Sequence, residues 1–299
     1  MTDSWIPRAT IVALDNPEGR TELARLATIA ARTAIPQCDV EIFWDDLWMR
    51  RIGPHYFAEP DLFRRAEPKW QHWPGAAASF LRDVQDHWFY LYKPRPGDVI
   101  VDIGAGRGED VLPFSQAVGP AGRVLAIEPH PITFRALEKF CEWNRLSNVT
   151  PIRCACYQET AALQIETTAA WQSNYVRTGE ASTSSSPVPG VRFDDLCRQQ
   201  EINRIDYLKM NIEGAERSAL PGCRDSLART RFVTVAAHDF RAARGEGEQF
   251  RTLQFVRDFL IEAGFSLTTR DGDARYWVPF HVHGSRVPTA PAVADEAQV

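Results

Sequence analysis

The chain has 299 residues, of which 34 are Lys or Arg and 39 are Asp or Glu, so its formal net charge is −5 at pH 7. This length allows one large domain or two, and a content of 44% hydrophobic and 24% charged residues is typical of a globular protein. Mild acidity without a block of like charges disfavours nucleic acid as a partner, and no apolar run approaches the roughly 20 residues of a membrane helix.

The first third of the chain is rich in tryptophan. Apolar residues at helical spacing predict helices over residues 21–34 and 76–90, and residues 10–14 predict a short strand. We therefore expect residues 1–95 to form a mainly helical segment that covers the following domain and contributes to acceptor binding. Ordinary core packing is the alternative for each of its tryptophans. Six of the nine tryptophans precede residue 95: Trp5, Trp44, Trp48, Trp70, Trp73 and Trp88.

After a Pro/Gly cluster at residues 93–97, short apolar runs alternate with helical segments, which predicts βαβ units and a parallel sheet over residues 96–286. We expect a polar, flexible loop over residues 182–190, a closing hairpin from residues 265–269 and 275–280, and a disordered tail over residues 287–299. The predicted strands of the sheet are residues 98–103, 122–127, 149–154, 205–210 and 231–237, with an extra strand over residues 162–167. The predicted helices between them include residues 109–117, 131–144 and 248–263.

The first strand of this domain runs directly into a glycine loop that contains Gly104, Ala105 and Gly106. Glycines at the carboxyl end of a strand allow a sharp turn and a close approach of the backbone to a ligand. Asp102 opens the loop, and its negative charge would suit a cationic ligand. These residues predict a site for a nucleotide-like cofactor.

The end of the second strand supplies a carboxylate, Glu128, where an acidic side chain can accept the two hydroxyl groups of a ribose. An NAD enzyme would use the same position, so Glu128 does not distinguish between cofactors. The position of the third glycine in a dinucleotide fingerprint is taken by Glu109, beside Asp110, where a pyrophosphate would meet carboxylates. A ribose acceptor without a phosphate site predicts S-adenosylmethionine, with an NAD-linked oxidoreductase as the alternative.

Three sequence runs resemble the FkbM family of class I S-adenosylmethionine-dependent methyltransferases. They are VIVDIGAGRGEDVLPFSQAVGPAGRVLAIEPHP at residues 99–131, IDYLKMNIEGAERSALPG at residues 205–222 and AAHDF at residues 236–240. The resemblance implies an α/β fold with a Rossmann-like seven-strand sheet, helices on both faces and methyl transfer, most often to a hydroxyl oxygen. The family usually has Asp where this chain has Asn211, so a non-catalytic binding protein on the same scaffold is a further alternative.

Polar side chains at the ends of the fourth and fifth strands are the candidate catalytic residues. His238 is the predicted general base, because its unperturbed pKa of about 6.5 is close to neutral pH. Glu213 would orient it or bind the acceptor, and Asn211 would bind the methionine end of the cofactor or the acceptor oxygen. Lys209 lies on the same strand face as Asn211 and is either an ion-pair partner or part of the site.

Metal binding and cellular location follow from weaker signals. The oxygen and nitrogen atoms of the side chains at the strand ends are compatible with binding of a divalent ion, but they do not predict it. The chain lacks the features of a signal peptide, so we expect a cytoplasmic protein that acts on a small molecule, and a homodimer is compatible with the sequence. The cysteines show no CxxC pair, which predicts reduced thiols that pack as apolar side chains. They are Cys38, Cys141, Cys154, Cys156, Cys197 and Cys223.

Overall fold

The computed structural model describes residues 6–60, 62–63, 70–167, 176–177 and 184–286. The predicted disordered tail and Trp5 lie outside these residues. All six cysteines are free thiols, and five of them are buried, which agrees with their predicted packing as apolar side chains. None of the helices in the described ranges combines the length and apolarity needed to cross a bilayer.

The predicted seven-stranded sheet is confirmed. Its strand order is β13-β14-β12-β11-β4-β5-β6, with β14 antiparallel to both of its neighbours and the other strand pairs parallel. The central strand β11 is buried at all six positions, because helices cover both faces of the sheet. The strands are β4 (Val99–Ile103), β5 (Arg123–Ile127), β6 (Val149–Ile152), β11 (Ile205–Met210), β12 (Thr230–Ala236), β13 (Ser266–Thr268) and β14 (His281–Ser285).

Two hydrophobic cores lie on the opposite faces of this sheet. Alternation along β4 sends Ile100 into one core and Val101 into the other. The Ile100 face is covered by α3 (Trp73–His87), α4 (Val111–Val118) and α5 (Pro131–Trp143). The Val101 face is covered by α6 (Phe193–Gln199), α8 (Arg224–Ala228) and α10 (Leu253–Glu262). Two further short helices are α7 (Glu216–Ala219) and α9 (Asp239–Ala243).

The N-terminal segment contains helices, and it also contains a small sheet that the sequence did not reveal. The strand predicted over residues 10–14 is wrong, because α1 (Arg8–Leu14) forms there and is followed by α2 (Arg20–Ala34). The antiparallel strands β1 (Val40–Asp45), β2 (Leu47–Ile52) and β3 (His55–Ala58) come next. A single residue, Asp46 with φ 59°, turns the chain between β1 and β2.

This segment packs against the large sheet's own helices rather than forming a separate body. The buried tryptophans Trp48, Trp70 and Trp73 belong to a core that also includes Leu112 of α4 and Phe140 of α5. These three tryptophans therefore have the core-packing role that was the alternative for them.

The loop predicted over residues 182–190 is wrong within its described part. There, β10 (Ser185–Val191) pairs along six residues with β8 (Ala161–Glu166) in a second sheet of order β7-β10-β8-β9. The two prolines of β10 are tolerated because β7 pairs with this strand only at its last two residues, which leaves the other side of the prolines without a ladder. The remaining strands are β7 (Ala155–Cys156) and β9 (Val176–Arg177).

The predicted closing hairpin forms, but its second strand begins at His281 and not within residues 275–280. The pairing joins β13 to β14, whereas residues 275–280 end in a 3₁₀ turn at Val278–Phe280. Pro279 lies inside that apolar run and cannot donate a ladder hydrogen bond, so the strand begins after it.

Candidate active site

A cavity of about 490 Å³ opens at the carboxyl ends of β4, β5, β6 and β11. This is the edge at which open α/β sheets bind ligands. The predicted residues Gly104, Ala105, Gly106 and Glu128 all line it. So do Lys209, Asn211 and Glu213, whereas Asp102 and His238 do not.

The glycine loop is held tightly against its neighbouring strands. Gly104 has φ 84°, and a Cβ atom there would lie 2.0 Å from the carbonyl oxygen of Asn211. The amides of Gly104 and Ala105 both donate to the carbonyl of Ile127, at 2.9 and 3.0 Å. Only glycine fits at position 104, and the resulting turn exposes backbone to the cavity.

Glu128 forms the opposite wall of the cavity at the end of β5. Its carboxylate accepts hydrogen bonds from the amides of His130 at 2.8 Å and Gly106 at 3.1 Å. Burial raises the pKa of Glu128 to about 7 in spite of these two donors. The side chain is only 7% exposed, so it is anchored to the glycine loop and faces the cavity in one orientation.

Asp102 lies beneath the loop and does not face the cavity. It is directly opposite Lys209 in the β4–β11 register, and the Lys209 Nζ is 2.7 Å from its Oδ1. The same ammonium donates to the Gly104 carbonyl at 2.8 Å and lies 3.5 Å from Asp110 Oδ2. Burial raises the pKa of Asp102 to about 6 although Lys209 opposes the rise. The charge of Asp102 is thus directed at Lys209, which supports the loop from below.

His238 lies between two carboxylates behind the cavity wall. Its Nδ1 is 3.1 Å from Glu216 Oε1, and its Nε2 is 3.3 Å from Glu213 Oε1. Burial alone would lower its pKa, but the two carboxylates outweigh burial and raise the pKa to about 9. At neutral pH the ring is therefore a cation with both nitrogens occupied, a state in which it cannot accept a proton.

Two further polar groups, Asn211 and Glu213, follow β11 and line the cavity. Glu213 has a φ of 55°, and Arg241 Nη1 donates to its carboxylate at 2.7 Å. Burial raises the pKa of Glu213, but contacts with His238 and Arg241 outweigh it and keep the pKa below its ordinary value. The Oδ1 atom of Asn211 is buried and has no hydrogen-bond partner among the described residues. An acceptor of this kind fits a ligand that brings its own donor.

Sequence reasoning missed the apolar wall of the cavity. Cys154 and Cys156 lie just after β6, and Ile165 and Val176 come from the second sheet. Their residue types carry no local signal for a site, and the pairing of β8 with β9 places two of them at the cavity. Such a surface suits the flat apolar ring of a nucleoside base. Among the described residues, no group of three or more His, Cys, Asp or Glu side chains is arranged to hold a metal ion.

Comparisons with known proteins place this site in a recognised sequence region. Residues 102–267 match the model of the methyltransferase FkbM domain. The chain is 29% identical to 31-O-demethyl-FK506 methyltransferase FkbM of Streptomyces tacrolimicus over 58% of this chain and 78% of that protein. It is 26% identical to 2-O-methyltransferase NoeI of Sinorhizobium fredii over 58% of this chain and 76% of that protein. The solved structure of Aeropyrum pernix fibrillarin aligns with a TM-score of 0.41 at 14% identity, covering 82% of this chain and 99% of that one.

Proposed function

The chain belongs to the FkbM family of S-adenosylmethionine-dependent methyltransferases, and we propose that it transfers the methyl group to a hydroxyl oxygen of a small organic molecule. Support for the oxygen acceptor comes from the names of the two relatives, a 2-O-methyltransferase and a methyltransferase of an O-demethyl compound. The net charge of −5 supports a small molecule rather than a nucleic acid as the acceptor.

The observation that carries the cofactor assignment is the charge of the cavity wall where α4 begins. Glu109 and Asp110 line the cavity at that point, and the Gly106 amide is already bonded to Glu128. Arg107 and Lys209 also line the cavity, but Arg107 is paired with Glu109 and Lys209 with Asp110. A pyrophosphate needs free amides and cationic side chains that carboxylates do not already neutralise, so this wall disfavours NAD. A cofactor with an ammonium and a sulfonium group suits the same wall.

The residues present fit S-adenosylmethionine in kind. Glu128 would accept the ribose hydroxyls, the apolar wall with Cys154 and Ile165 would hold the base, and the unpaired Asn211 Oδ1 would accept a hydrogen bond from the methionine end or the acceptor. When bound, S-adenosylmethionine supplies an electrophilic methyl group on its sulfonium. The chain's own part is to align the acceptor oxygen and to exclude water.

Proton removal falls to Glu213 in this proposal, with His238 as its positioning residue. Glu213 lines the cavity and is ionised, whereas the predicted base His238 lies behind it as a cation. A hydroxyl becomes strongly acidic as its oxygen is methylated, so a carboxylate of low pKa suffices to receive the proton. Arg241 and His238 fix the Glu213 carboxylate at 2.7 and 3.3 Å.

A methyl-transfer assay tests the proposal. The protein is incubated with S-adenosylmethionine labelled in its methyl group and a panel of hydroxylated small molecules, amines and thiols, and products are identified by mass spectrometry. We expect label in a methyl ether with wild type and loss of label with Glu128→Ala. Label in an amine or a thioether instead would contradict the oxygen acceptor. Binding of S-adenosylhomocysteine without turnover across the panel would favour the non-catalytic alternative.

A further inference from the structure

A network of four charged side chains joins the N-terminal sheet to the glycine loop. Arg50 of β2 pairs with Glu59, which follows β3, at 2.6 Å between Nη2 and Oε1. The other oxygen of Glu59 accepts from Arg107 Nη1 at 2.7 Å. Arg107 belongs to the glycine loop, and its Nη2 donates to Glu109 Oε1 at 2.7 Å. The Glu59 carboxylate of the N-terminal part is thus linked through Arg107 to the Glu109 carboxylate of the cavity wall.

The network is largely shielded from water, so its interactions are weakly screened. The side chains of its four members are only 7–18% exposed. The Arg50 guanidinium also lies 4.5 Å from the ring centre of Trp73 and 4.9 Å from that of Phe57. Burial raises the pKa of Glu59, but the two guanidiniums outweigh it and keep the pKa below its ordinary value. Glu59 is therefore a fixed anion at neutral pH.

Two members of the network face the cavity, and two come from a part of the chain that the family match does not include. Arg107 and Glu109 line the cavity. Arg50 and Glu59 precede the matched region, residues 102–267. These contacts therefore connect the N-terminal sheet to the glycine loop at the cavity.

We propose that Glu59 is a positioning residue for cofactor binding, which acts through Arg107 to fix the glycine loop and the Glu109 carboxylate. The inference rests on the proposed function, because it assumes that the cavity binds S-adenosylmethionine. Glu59 does not itself line the cavity, so its effect on the cofactor passes through Arg107.

The test compares Glu59→Gln with a matched control in the same sheet region, Asp39→Asn. Asp39 also pairs with an arginine of β2, Arg51, at 2.5 Å, but its side chain is 62% exposed. The affinity for S-adenosylhomocysteine is measured by calorimetry, and hydrogen exchange is measured for the amides of residues 104–108 in the free protein. Removing a buried charge-assisted bond should weaken binding about tenfold or more and speed exchange of the loop amides. The control should change binding by less than about twofold.

A double-mutant cycle with Arg107→Met separates positioning from a general loss of stability. If Glu59 acts through Arg107, Glu59→Gln should weaken binding by less than about twofold in the Arg107→Met background. An equal effect in both backgrounds would overturn the proposed route. If Glu59→Gln does not fold, Glu59→Asp keeps the charge at a shorter reach and should lose affinity by about three- to tenfold in wild-type background only.

The outcomes separate this inference from the proposed function. Wild-type affinity in Glu59→Gln, with unchanged exchange of the loop amides, would refute the positioning role while leaving the cofactor assignment intact. Failure of the wild-type protein to bind S-adenosylhomocysteine would instead refute the cofactor assignment itself.

Discussion

Replacing Glu128 with Gln should weaken cofactor binding and at the same time stabilise the free protein above pH 7. The carboxylate is buried, and its pKa rises from 4.5 to about 7. That rise means that ionised Glu128 lowers the free energy of unfolding by roughly 3 kcal/mol. A glutamine has the same shape without the charge, so it removes this penalty.

The gain is reduced by a lost hydrogen bond. The Glu128 carboxylate accepts from the amides of both His130 and Gly106, whereas a carboxamide has one accepting oxygen. Leaving one amide without its acceptor costs about 1–2 kcal/mol. We therefore expect Glu128→Gln to raise the free energy of unfolding by about 1–2 kcal/mol above pH 7.

The sign of the effect depends on pH. Because the folded-state pKa of Glu128 is raised, the favourable contribution of its protonated form is complete below pH 4.5 and is lost as the pH rises through about 7. The stability difference between Glu128→Gln and wild type should therefore change from unfavourable near pH 5 to favourable at pH 8. Urea unfolding at the two pH values measures it.

Binding should move in the opposite direction. The ionised carboxylate is the form that accepts two ribose hydroxyls, so wild-type affinity for S-adenosylhomocysteine should rise with pH through about 7, and this dependence should be absent in Glu128→Gln.

Glu138→Gln on the exposed side of α5 is the control and should change stability by less than about 0.5 kcal/mol at either pH. A stability difference that is independent of pH, or retained affinity in Glu128→Gln, would refute this reasoning.

Three further predictions concern the surroundings of the cavity. The pKa of His238, measured by NMR titration, should be about 9 and should fall in Glu213→Gln. Because this pKa is raised in the folded state, the stabilisation that the imidazolium provides is complete below pH 6.5 and is lost as the pH rises through 9. An unchanged pKa of His238 in Glu213→Gln would contradict the pairing. Gly104→Ala should destabilise the protein by more than about 2 kcal/mol in urea unfolding, because the added Cβ would lie 2.0 Å from a backbone oxygen. The control Gly97→Ala, where φ is 89° and the space is open, should cost about 1 kcal/mol. Equal costs for the two variants would contradict the close approach at Gly104. Lys209→Met should cost about 3–5 kcal/mol at pH 8, because it leaves the buried Asp102 and the partly exposed Asp110 without their cation. A cost under about 1 kcal/mol would contradict this ion pairing.

Local patterns in the sequence predicted the parts of the site that depend on one strand and its following loop. The glycines follow directly on a buried apolar run, and Glu128 ends the next one, so both could be placed on the cavity from the chain alone. The βαβ units and the parallel sheet followed from the alternation of strands and helices, whereas the seven strands and the helices on both faces were implied by the family resemblance.

The parts that failed depend on contacts between distant segments. Asp102 was expected to face the cofactor, but the register of β4 against β11 places Lys209 opposite it. His238 was expected to be a base, but Glu213 and Glu216 come from the loop and helix after another strand and hold its ring between them. The spacing of residues along the chain indicates neither the Asp102–Lys209 pair nor the contacts of His238 with the two glutamates.

The N-terminal sheet was missed for a related reason. The run that forms β1 and β2 turns at the single residue Asp46, so no Gly or Pro marks the hairpin. From the sequence alone, polar residues of this sheet such as Arg50 are expected to face solvent. Only the folded chain shows that Arg50 pairs with Glu59, which in turn pairs with Arg107.

The central claim is that the cavity beside the glycine loop binds S-adenosylmethionine and has no site for a pyrophosphate. Calorimetric titration of the wild-type protein with S-adenosylhomocysteine, and separately with NADH, tests it most directly. We predict saturable binding of about one S-adenosylhomocysteine per chain in the micromolar range and no heat with NADH. Saturable binding of NADH without binding of S-adenosylhomocysteine would contradict the claim.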